Sequence, residues 1–305
     1  MAGVCKMSLL TPTKPKLNSL VSIDDLDKEA IERLLEEAEK PFEPDALKGK
    51  IVANLFFEPS TRTRLSFETA ALRQGANVIT VAEPSQTSLS KGESLHDTIK
   101  MVSSYSDLIV LRHPAEGAAK YAGEISDVPL INAGDGANEH PTQALLDLFA
   151  IKASQGTLEG LSLAIAGDLK YGRTIHSLLK ALAPFSPRLY LICPEGLEPA
   201  SHTLERLKEK RVLFSFHSSL KEVLPEVDVL YMTRVQKERI KGGLIHPICL
   251  KPDHLKQVKP NLKILHPMPR NQEIDPEIDK TPYAYYFEQA KGALNVRATL
   301  LRSMI

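Results

Sequence analysis

Positions 51–64 of the chain read IVANLFFEPSTRTR. The first part of this stretch is a short apolar run, which is typical of a strand buried in a parallel sheet. A helix is predicted from about position 60 to position 74, where Gly75 ends it. The stretch therefore predicts a strand that passes through a short turn into a helix, which is the repeating unit of α/β proteins.

The same alternation continues along the chain. Apolar runs predict further strands at 78–81, 107–111, 130–132, 161–166, 189–193, 212–216, 227–231 and 264–265. Helices are predicted up to about position 40 and at 93–104, 141–153, 174–182 and 283–303, with others between the later strands. This order indicates parallel sheets with helices on both faces. The 305 residues suffice for two domains of roughly 150 residues each, divided within a helix at about 144–154.

Composition narrows the class of protein. Apolar residues make up 43% of the chain, and 38 basic residues balance 38 acidic ones, which argues against binding nucleic acid or a membrane surface through bulk charge. The sparse cysteines, Cys5, Cys193 and Cys249, argue against a disulfide framework or a zinc site and suit a reducing compartment. No apolar run approaches the roughly 18 residues of a membrane span. Positions 1–16 are predicted to be a flexible leader, and the protein to be cytoplasmic.

The helix start within the quoted stretch is a candidate site for a small phosphate-bearing substrate. Helix N-termini offer unpaired N–H groups and the positive end of a dipole. The hydroxyls of Ser60, Thr61 and Thr63 add donors, Arg62 can hold two phosphate oxygens, and Arg64 is a second cation. The alternative is a capped helix start with solvated arginines. Three hydroxyls and two arginines within five residues exceed what capping requires.

A second loop resembles a nucleotide site without matching it. Positions 167–174, GDLKYGRT, fit the phosphate-loop pattern except that Arg173 stands in place of its lysine. An arginine does not replace a compact lysine between phosphates, and the glycine spacing of dinucleotide sites is missing. We therefore expect no nucleotide here. Arg173 remains a candidate for binding a carboxylate at the mouth of a sheet.

Other candidates open predicted helices or follow predicted strands. His140 and Gln143 lie at a helix start, where a histidine can donate to an oxyanion and a glutamine can bond an amide; capping or packing is the alternative. Arg112 follows the strand at 107–111, at the edge where open α/β sheets place ligands. A surface salt bridge would explain Arg112 equally well.

Three further segments carry weaker signals. Ser88 and Lys91 lie in a polar loop at 83–92, where a lysine is usually solvated. Arg234 and Gln236 belong to the cation-dense segment RVQKER, which a solvated helix face would also explain. HPMPR at 266–270 contains two prolines that fix the loop and leave backbone carbonyls available.

Together these segments resemble the aspartate/ornithine carbamoyltransferase family. FFEPSTRTR at 56–64 resembles the family's carbamoyl phosphate signature, and HPTQALLD at 140–147 and HPMPR at 266–270 resemble two further family blocks in the right order. The resemblance extends from about position 17 to the end of the chain.

Several features resemble the aspartate-accepting branch of that family. They are TSLSKGE at 87–93, the loop at 167–174 and YMTRVQKER at 231–239. The ornithine-accepting branch would have a cysteine where this chain has Met268, and an acidic group for the substrate amine. This chain instead offers Arg173 and Arg234, which suit a dicarboxylate.

The resemblance implies an architecture and a reaction. A carbamoyl phosphate domain is expected at 17–143, completed by a C-terminal helix at 284–305 that packs back on it, and an aspartate domain at 144–283. The expected assembly is a homotrimer with active sites shared between subunits, without cofactor or metal. The expected reaction converts carbamoyl phosphate and L-aspartate to N-carbamoyl-L-aspartate and phosphate in de novo pyrimidine biosynthesis.

The resemblance also implies a role for each candidate residue. The phosphate would be held by Ser60, Thr61, Arg62 and Thr63, and the carbamoyl oxygen would be polarised by Thr63, Arg112 and His140. The carbamoyl amide would be held by Gln143 and the carbonyls of Pro267 and Met268. Aspartate would be bound by Arg173, Arg234 and Gln236, with Ser88 and Lys91 of an adjacent subunit. Catalysis itself would depend on Arg62, Thr63, Lys91, Arg112 and His140.

Three other interpretations remain open. The chain could be a carbamoyltransferase for another amine acceptor, which an acceptor panel would decide. It could be a non-catalytic subunit that keeps the fold, although Arg62, His140 and Lys91 are all present. It could be a nucleotide-binding dehydrogenase or phosphate-loop protein, which predicts nucleotide binding at 167–174.

Overall fold

The computed structural model describes residues 19–82, 88–236 and 247–305. These residues form two five-stranded sheets in which all neighbouring strands run parallel. The predicted two-sheet α/β fold is thereby confirmed. The predicted leader at 1–16 lies outside the described residues. Within the three described ranges, no helix has both the length and the hydropathy needed to cross a membrane.

The first sheet has the spatial order β1-β5-β4-β2-β3. Its central strands are β2 (Ile51–Phe56), β4 (Leu108–His113) and β5 (Leu130–Asp135), which are buried along almost their whole length. Strands covered by helices on both faces require such continuous apolar runs. β1 (Ser19–Leu20) and β3 (Asn77–Val81) form the edges.

The second sheet has the order β10-β9-β6-β7-β8. Its strands are β6 (Ser162–Ala166), β7 (Arg188–Ile192), β8 (Leu213–His217), β9 (Val229–Met232) and β10 (Lys263–Leu265). β6, β7 and β9 are nearly fully buried, whereas every residue of the edge strand β8 is exposed or half-buried.

Helices cover both sheets. Those connecting the strands of the first sheet are α1 (Lys28–Ala38), α2 (Thr61–Arg73), α3 (Leu95–Ser103) and α4 (Ala118–Ile125). The later helices are α5 (Pro141–Gln155), α6 (Arg173–Leu182), α7 (Ser201–Glu209), α8 (Leu220–Val223) and α9 (Tyr286–Met304). α5 carries the chain from the last strand of the first sheet to the first strand of the second.

The structure corrects some local predictions. Ser22 and Asp25 form a capping box around a single 3-10 turn, so the helix predicted up to about position 40 begins only after Asp27, which caps α1. Ser88–Lys91, predicted as loop, forms a 3-10 turn, while 83–87 lie outside the described residues. β5, predicted to end at position 132, continues to Asp135.

The C-terminal helix α9 packs on α1, α2 and α5, beside the first sheet. Its buried stripe includes Val296, Ala298, Leu300 and Leu301, which join the apolar core beneath that sheet. The predicted return of the last helix to the first domain is confirmed.

Each sheet has one point at which its winding direction reverses. In the first sheet, β3 lies on one side of β2, and β4 and β5 lie on the other. In the second sheet, β7 and β8 lie on one side of β6, and β9 and β10 lie on the other. Open α/β sheets bind ligands at the carboxyl ends of the two strands beside such a reversal. The segments after β2 and β4, and those after β6 and β9, are therefore the places to look for a site.

Candidate active site

A single cavity of about 820 Å³ is lined by segments from both reversal points. It has the size of a typical small-molecule site. The predicted site residues on its walls are Ser60, Thr61, Arg62, Thr63, Arg112, His140, Gln143, Arg173, Arg234, Gln236, Pro267 and Met268. The folding of one chain thus brings together segments that are far apart in the sequence.

Two predicted residues do not line this cavity. Ser88 and Lys91 are exposed on the 3-10 turn before α3. The remainder of the predicted mobile loop, including Thr87, lies outside the described residues, as do Lys237, Glu238 and Arg239 of the cation-dense segment.

The start of α2 forms the side of the cavity at which the sequence predicts phosphate binding. Ser60 is the N-cap residue, yet its hydroxyl makes no capping hydrogen bond, so capping does not account for it. Thr63 is buried, and Arg62 is exposed on the cavity wall. Arg64 lies off the cavity with Nε 3.7 Å from Oε1 of Glu68, because residues two apart on a helix point in opposite directions. The expectation of a second cation at Arg64 is therefore wrong.

Glu58 joins the two sides of the cavity. Its Oε2 accepts from Nη1 of Arg173 at 2.8 Å and lies 3.3 Å from Nη2 of Arg112. Arg112 also donates to the carbonyl of Ala133, and Arg173 to that of Gly136. Both guanidinium groups are buried and held by several bonds, which fixes their planes. The surface salt bridge that could have explained Arg112 is excluded, since Arg112 is buried at the site.

The turn after β6 positions the opposite wall. Gly167 has a φ of +126°, and a Cβ there would lie 2.1 Å from the carbonyl oxygen of Thr233. Only glycine permits this approach between the turns that follow β6 and β9. Gln236 is anchored there, since its N–H donates to Asp168 at 3.1 Å and its Nε2 to the carbonyl of Tyr171 at 2.9 Å.

His140 lies between the two walls and is buried. Burial, together with the positive charges of Arg112, Arg173 and Arg297, holds the pKa of His140 well below its ordinary value, so the imidazole is neutral. The hydroxyl of Thr142 lies 3.3 Å from Nδ1 and can donate to it. In that arrangement Nε2 carries the proton and can donate to a ligand oxygen.

A buried carboxylate lies behind Gln143. Oδ1 of Asp147 accepts from Nε2 of Gln143 at 2.8 Å and from Nε2 of Gln289 at 2.6 Å, and Oδ2 accepts from the Tyr231 hydroxyl at 2.8 Å. Because an ionised carboxylate only accepts, both amide NH₂ groups must face it. The Oε1 atom of Gln143 is therefore left for another donor. Burial raises the pKa of Asp147 to about 7.

The same network holds the loop after β10. Oε1 of Gln289 accepts from the N–H of His266 at 2.8 Å, Nδ1 of His266 accepts from the N–H of Met268 at 2.8 Å, and Nε2 donates to Glu273 at 2.9 Å. Met268 has a φ of +55°, a left-handed conformation that these bonds hold in place.

Residues 18–153 match the family model "Aspartate/ornithine carbamoyltransferase, carbamoyl-P binding domain", and residues 159–304 match "Aspartate/ornithine carbamoyltransferase, Asp/Orn binding domain". The chain belongs to the aspartate/ornithine carbamoyltransferase family. Among curated relatives, the aspartate carbamoyltransferase catalytic subunit of Chromobacterium violaceum is 51% identical over 289 residues, 92% of this chain and 96% of the relative.

Solved structures of this carbamoyltransferase family have the same fold. The catalytic subunit of M. jannaschii aspartate transcarbamoylase has a TM-score of 0.87 and 44% identity, covering 95% of this chain and 98% of that chain. Aspartate transcarbamoylase from Trypanosoma cruzi in complex with carbamoyl phosphate and aspartate has a TM-score of 0.88 and 35% identity, covering 95% of this chain and 96% of that chain.

Four polar residues of the site were given no role from the sequence. Glu58, Asp147, Gln289 and Arg297 are brought to the site by the fold. Asp147 and Arg297 had a usable signal, because each is a charge within an apolar stripe of its helix, where charges are seldom buried without a reason. Within the described part of this carbamoyltransferase-family chain, no cluster of three or more His, Cys, Asp or Glu side chains is arranged to hold a metal ion.

Proposed function

We propose that the chain is an aspartate carbamoyltransferase, which converts carbamoyl phosphate and L-aspartate to N-carbamoyl-L-aspartate and phosphate in de novo pyrimidine biosynthesis. The observation that carries this proposal is one cavity with anion-binding groups on both walls and a neutral donor, His140, between them. The names of the relatives agree, since the C. violaceum protein and the T. cruzi and M. jannaschii structures are all aspartate carbamoyltransferases.

The phosphate belongs at the start of α2. Support for this comes from Ser60, Thr61, Arg62 and Thr63, which all line the cavity at the helix start and carry N–H, hydroxyl and guanidinium donors. A helix N-terminus and an arginine fork suit the tetrahedral oxygens of a phosphoryl group better than they suit a single carboxylate. We therefore assign this wall to carbamoyl phosphate.

The carbamoyl group would then lie towards the centre of the cavity. Arg112, Thr63 and Nε2 of His140 would donate to its carbonyl oxygen. The Oε1 atom of Gln143, directed away from Asp147, and the carbonyls of Pro267 and Met268 would accept from its NH₂ group. The acceptors and donors of the site thus match the polarity of an amide.

Aspartate would occupy the wall built by the second sheet. Arg173 and Arg234 supply positive charge for its two carboxylates, and Gln236 supplies an amide. An ornithine side chain would place an ammonium group against these arginines, which disfavours it. Because two arginines favour carboxylates over an ammonium group, we propose aspartate as the acceptor.

The reaction needs no covalent enzyme intermediate. The aspartate amine attacks the carbamoyl carbon, an oxyanion develops on the carbonyl oxygen, and phosphate leaves. Each donor to that oxygen contributes ~3 kcal/mol in comparable sites, and holding the two reactants in register contributes up to ~7–11 kcal/mol. The neutral His140 acts as a hydrogen-bond donor, and we assign the amine proton to the departing phosphate.

A direct assay tests the activity. Purified chain is incubated with carbamoyl phosphate and, in separate reactions, L-aspartate, L-ornithine and other amines, and the carbamoylated product and phosphate are measured. We expect N-carbamoyl-L-aspartate as the main product. Preference for another amine would assign a different acceptor, and no product with any amine would contradict the proposal. Calorimetry with nucleotides tests the rival nucleotide site at 167–174.

The exposed positions of Ser88 and Lys91 support a site shared between subunits. We propose that they enter the aspartate side of a neighbouring copy's cavity in a homotrimer. Mixing Lys91→Ala chains with Arg62→Ala chains should restore some activity, because one type of mixed interface carries both intact residues. Verified mixed trimers without any recovered activity would exclude sharing, and a monomer in solution would exclude the trimer.

Two further assignments belong to this proposal. We place the carbamoyl phosphate domain at 17–143 with 284–305, and the aspartate domain at 144–283, since α5 joins the two sheets and α9 returns to the first. We also propose a cytoplasmic location. It is supported by Cys193 and Cys249, which are both free thiols, as a reducing compartment would keep them.

A further inference from the structure

Arg297, on α9, has an unusual environment for an arginine. It is only 2% exposed, and it lies on the wall of the cavity. Its guanidinium carbon lies 5.0 Å from the ring centroid of Phe67, on α2. Among the residues that the structure describes, no carboxylate pairs with Arg297, and its Nε is buried without a hydrogen-bond partner.

The other buried arginines of the site are compensated. Arg112 and Arg173 both face the carboxylate of Glu58 and also donate to backbone carbonyls, although Nε of Arg112, like that of Arg297, has no hydrogen-bond partner among the described residues. Arg297 has only the ring face of Phe67, and the charges of Arg112 and Arg62, together with burial, lower its pKa. A buried cation next to other cations is unfavourable by itself, so the folded protein bears a cost at this position.

An anion in the cavity would remove that cost. The positive charges that act on Arg297 include those of Arg112 and Arg62, which follow or end strands of the first sheet on the same side of the cavity. A phosphate there carries up to two negative charges and can accept from several guanidinium groups at once. The contact of the guanidinium with the Phe67 ring restrains the side chain at the cavity wall, and its planar fork offers several donors to an anion.

We propose that Arg297 is a second phosphate-binding arginine beside Arg62, contributed to the site by the C-terminal helix. This inference rests on the proposed function, since the phosphate is that of carbamoyl phosphate and of the product. It also gives α9 a functional role beyond packing on α1, α2 and α5. The last helix of the chain would complete the binding site that the first sheet begins.

The test compares three variants of the full chain. Arg297→Met replaces the charge with an apolar side chain of similar length, and Arg297→Lys keeps the charge without the planar fork. Arg302→Met, on the same helix, is the matched control, because Arg302 faces Glu37 and Glu43 away from the cavity. Binding of inorganic phosphate is measured by calorimetry, and the unfolding midpoint is measured with and without added phosphate.

In Arg297→Met we expect the dissociation constant of phosphate and the KM for carbamoyl phosphate to rise about tenfold or more. The KM for aspartate should change less than about threefold. The stabilisation by phosphate should shrink, while the midpoint without phosphate should stay the same or rise, because repulsion with Arg62 and Arg112 is removed. Arg302→Met should bind phosphate as the unmodified chain does.

A packing role predicts a different pattern. Arg297→Met would then lower the midpoint without phosphate and leave phosphate affinity unchanged, and that result would overturn the proposal. If Arg297→Met fails to fold, the Arg297→Lys variant is measured instead. Phosphate binding several-fold weaker than in the unmodified chain would support the proposal, and unchanged binding would contradict it. Calorimetry does not depend on turnover. Suppose that the unmodified chain binds phosphate but forms no carbamoyl aspartate, and that Arg297→Met loses phosphate binding. The proposed function would then be refuted, and this inference would stand.

Discussion

The two walls of the cavity differ in how their polar groups are paired. On the wall of the first sheet, Arg62 and Arg297 have no ion-pair partner among the described residues, and the Ser60 hydroxyl caps no helix N–H. On the wall of the second sheet, Arg173 donates to Glu58 and Gly136, and Gln236 donates to Tyr171. Arg112, also on the first wall, faces the carboxylate of Glu58. The first wall therefore directs at the cavity two cations without a carboxylate partner in the described part of the chain, whereas Arg173 and Gln236 on the second wall are paired with the protein.

The difference bears on how each substrate is bound. Groups that are already in place and unpaired bind an anion without giving up protein contacts, so the first wall is preorganised. On the second wall, an incoming carboxylate must either displace Glu58 from Arg173 or bind Arg173 beside Glu58. We therefore expect the phosphate-bearing substrate to bind more tightly than aspartate, and aspartate binding to depend on Glu58.

The largest expected effect is on the first wall. Arg62→Ala should lower kcat/KM by about 1,000-fold or more, because it removes a charge-assisted contact to the phosphate that also serves the leaving group. Arg64→Ala is the matched control, since Arg64 lies two residues away and faces Glu68 outside the cavity. It should change kcat/KM by less than about threefold. Equal losses in both variants would contradict the assignment of one cavity-facing arginine.

A smaller loss is expected at the centre. His140→Ala should lower kcat about 100-fold with little change in the KM for aspartate, which is typical of losing one oxyanion donor. Since the pKa of His140 lies well below its ordinary value, His140 stays neutral at neutral pH, and kcat should show no step near pH 6.5 from this residue. A step near that pH that vanishes in His140→Ala would show instead that the imidazole exchanges a proton.

The link between the walls is tested by Glu58→Gln. The change keeps the shape of the side chain but weakens its bonds to Arg112 and Arg173, so both arginines lose orientation. We expect kcat/KM for aspartate to fall roughly 10- to 100-fold, since hydrogen bonds to charged groups contribute about 1.5–3 kcal/mol. Phosphate affinity, measured by calorimetry, should change less than about threefold. A fall confined to phosphate binding would reverse the comparison between the walls.

The two walls also differ in how far the sequence predicts them. The phosphate wall is a continuous segment, so its hydroxyls and Arg62 are visible as a cluster at a predicted helix start. The opposite wall is assembled from residues after β6 and after β9, each of which alone has an ordinary explanation. Only the resemblance to a family assigned Arg234 and Gln236 to it, and the structure brings both to the cavity.

The supporting contacts could not be read from local sequence. Arg173 and Glu58 are 115 positions apart, and Gln289 and Asp147 are 142 positions apart, so both contacts exist only after the sheets and α9 have packed. The central strands were predicted because they are long apolar runs. α4 was not predicted, since it is a short helix, and β1 has only two residues.

The smallest effect on activity is expected behind Gln143. In Asp147→Asn, the side-chain oxygen can still accept from Gln143 and Gln289, and the new NH₂ can donate to Tyr231. Activity at pH 8 should therefore stay within about threefold. Asp147→Leu removes every acceptor at this position, frees Gln143 to rotate, and should raise the KM for carbamoyl phosphate about tenfold.

The pH dependence of the free energy of unfolding tests whether Asp147 is protonated or ionised in the folded protein. Burial raises its pKa from 3.8 to about 7, so the unfolded chain releases this proton at lower pH than the folded chain does. Its contribution to the free energy of unfolding therefore falls as the pH rises from about 4 to about 7, and levels off above that. Denaturant unfolding at a series of pH values should show this slope in the unmodified chain and lose that component in Asp147→Asn. Identical slopes in the two proteins would mean that Asp147 is ionised throughout, and that its bonds to Gln143, Gln289 and Tyr231 outweigh the cost of its burial.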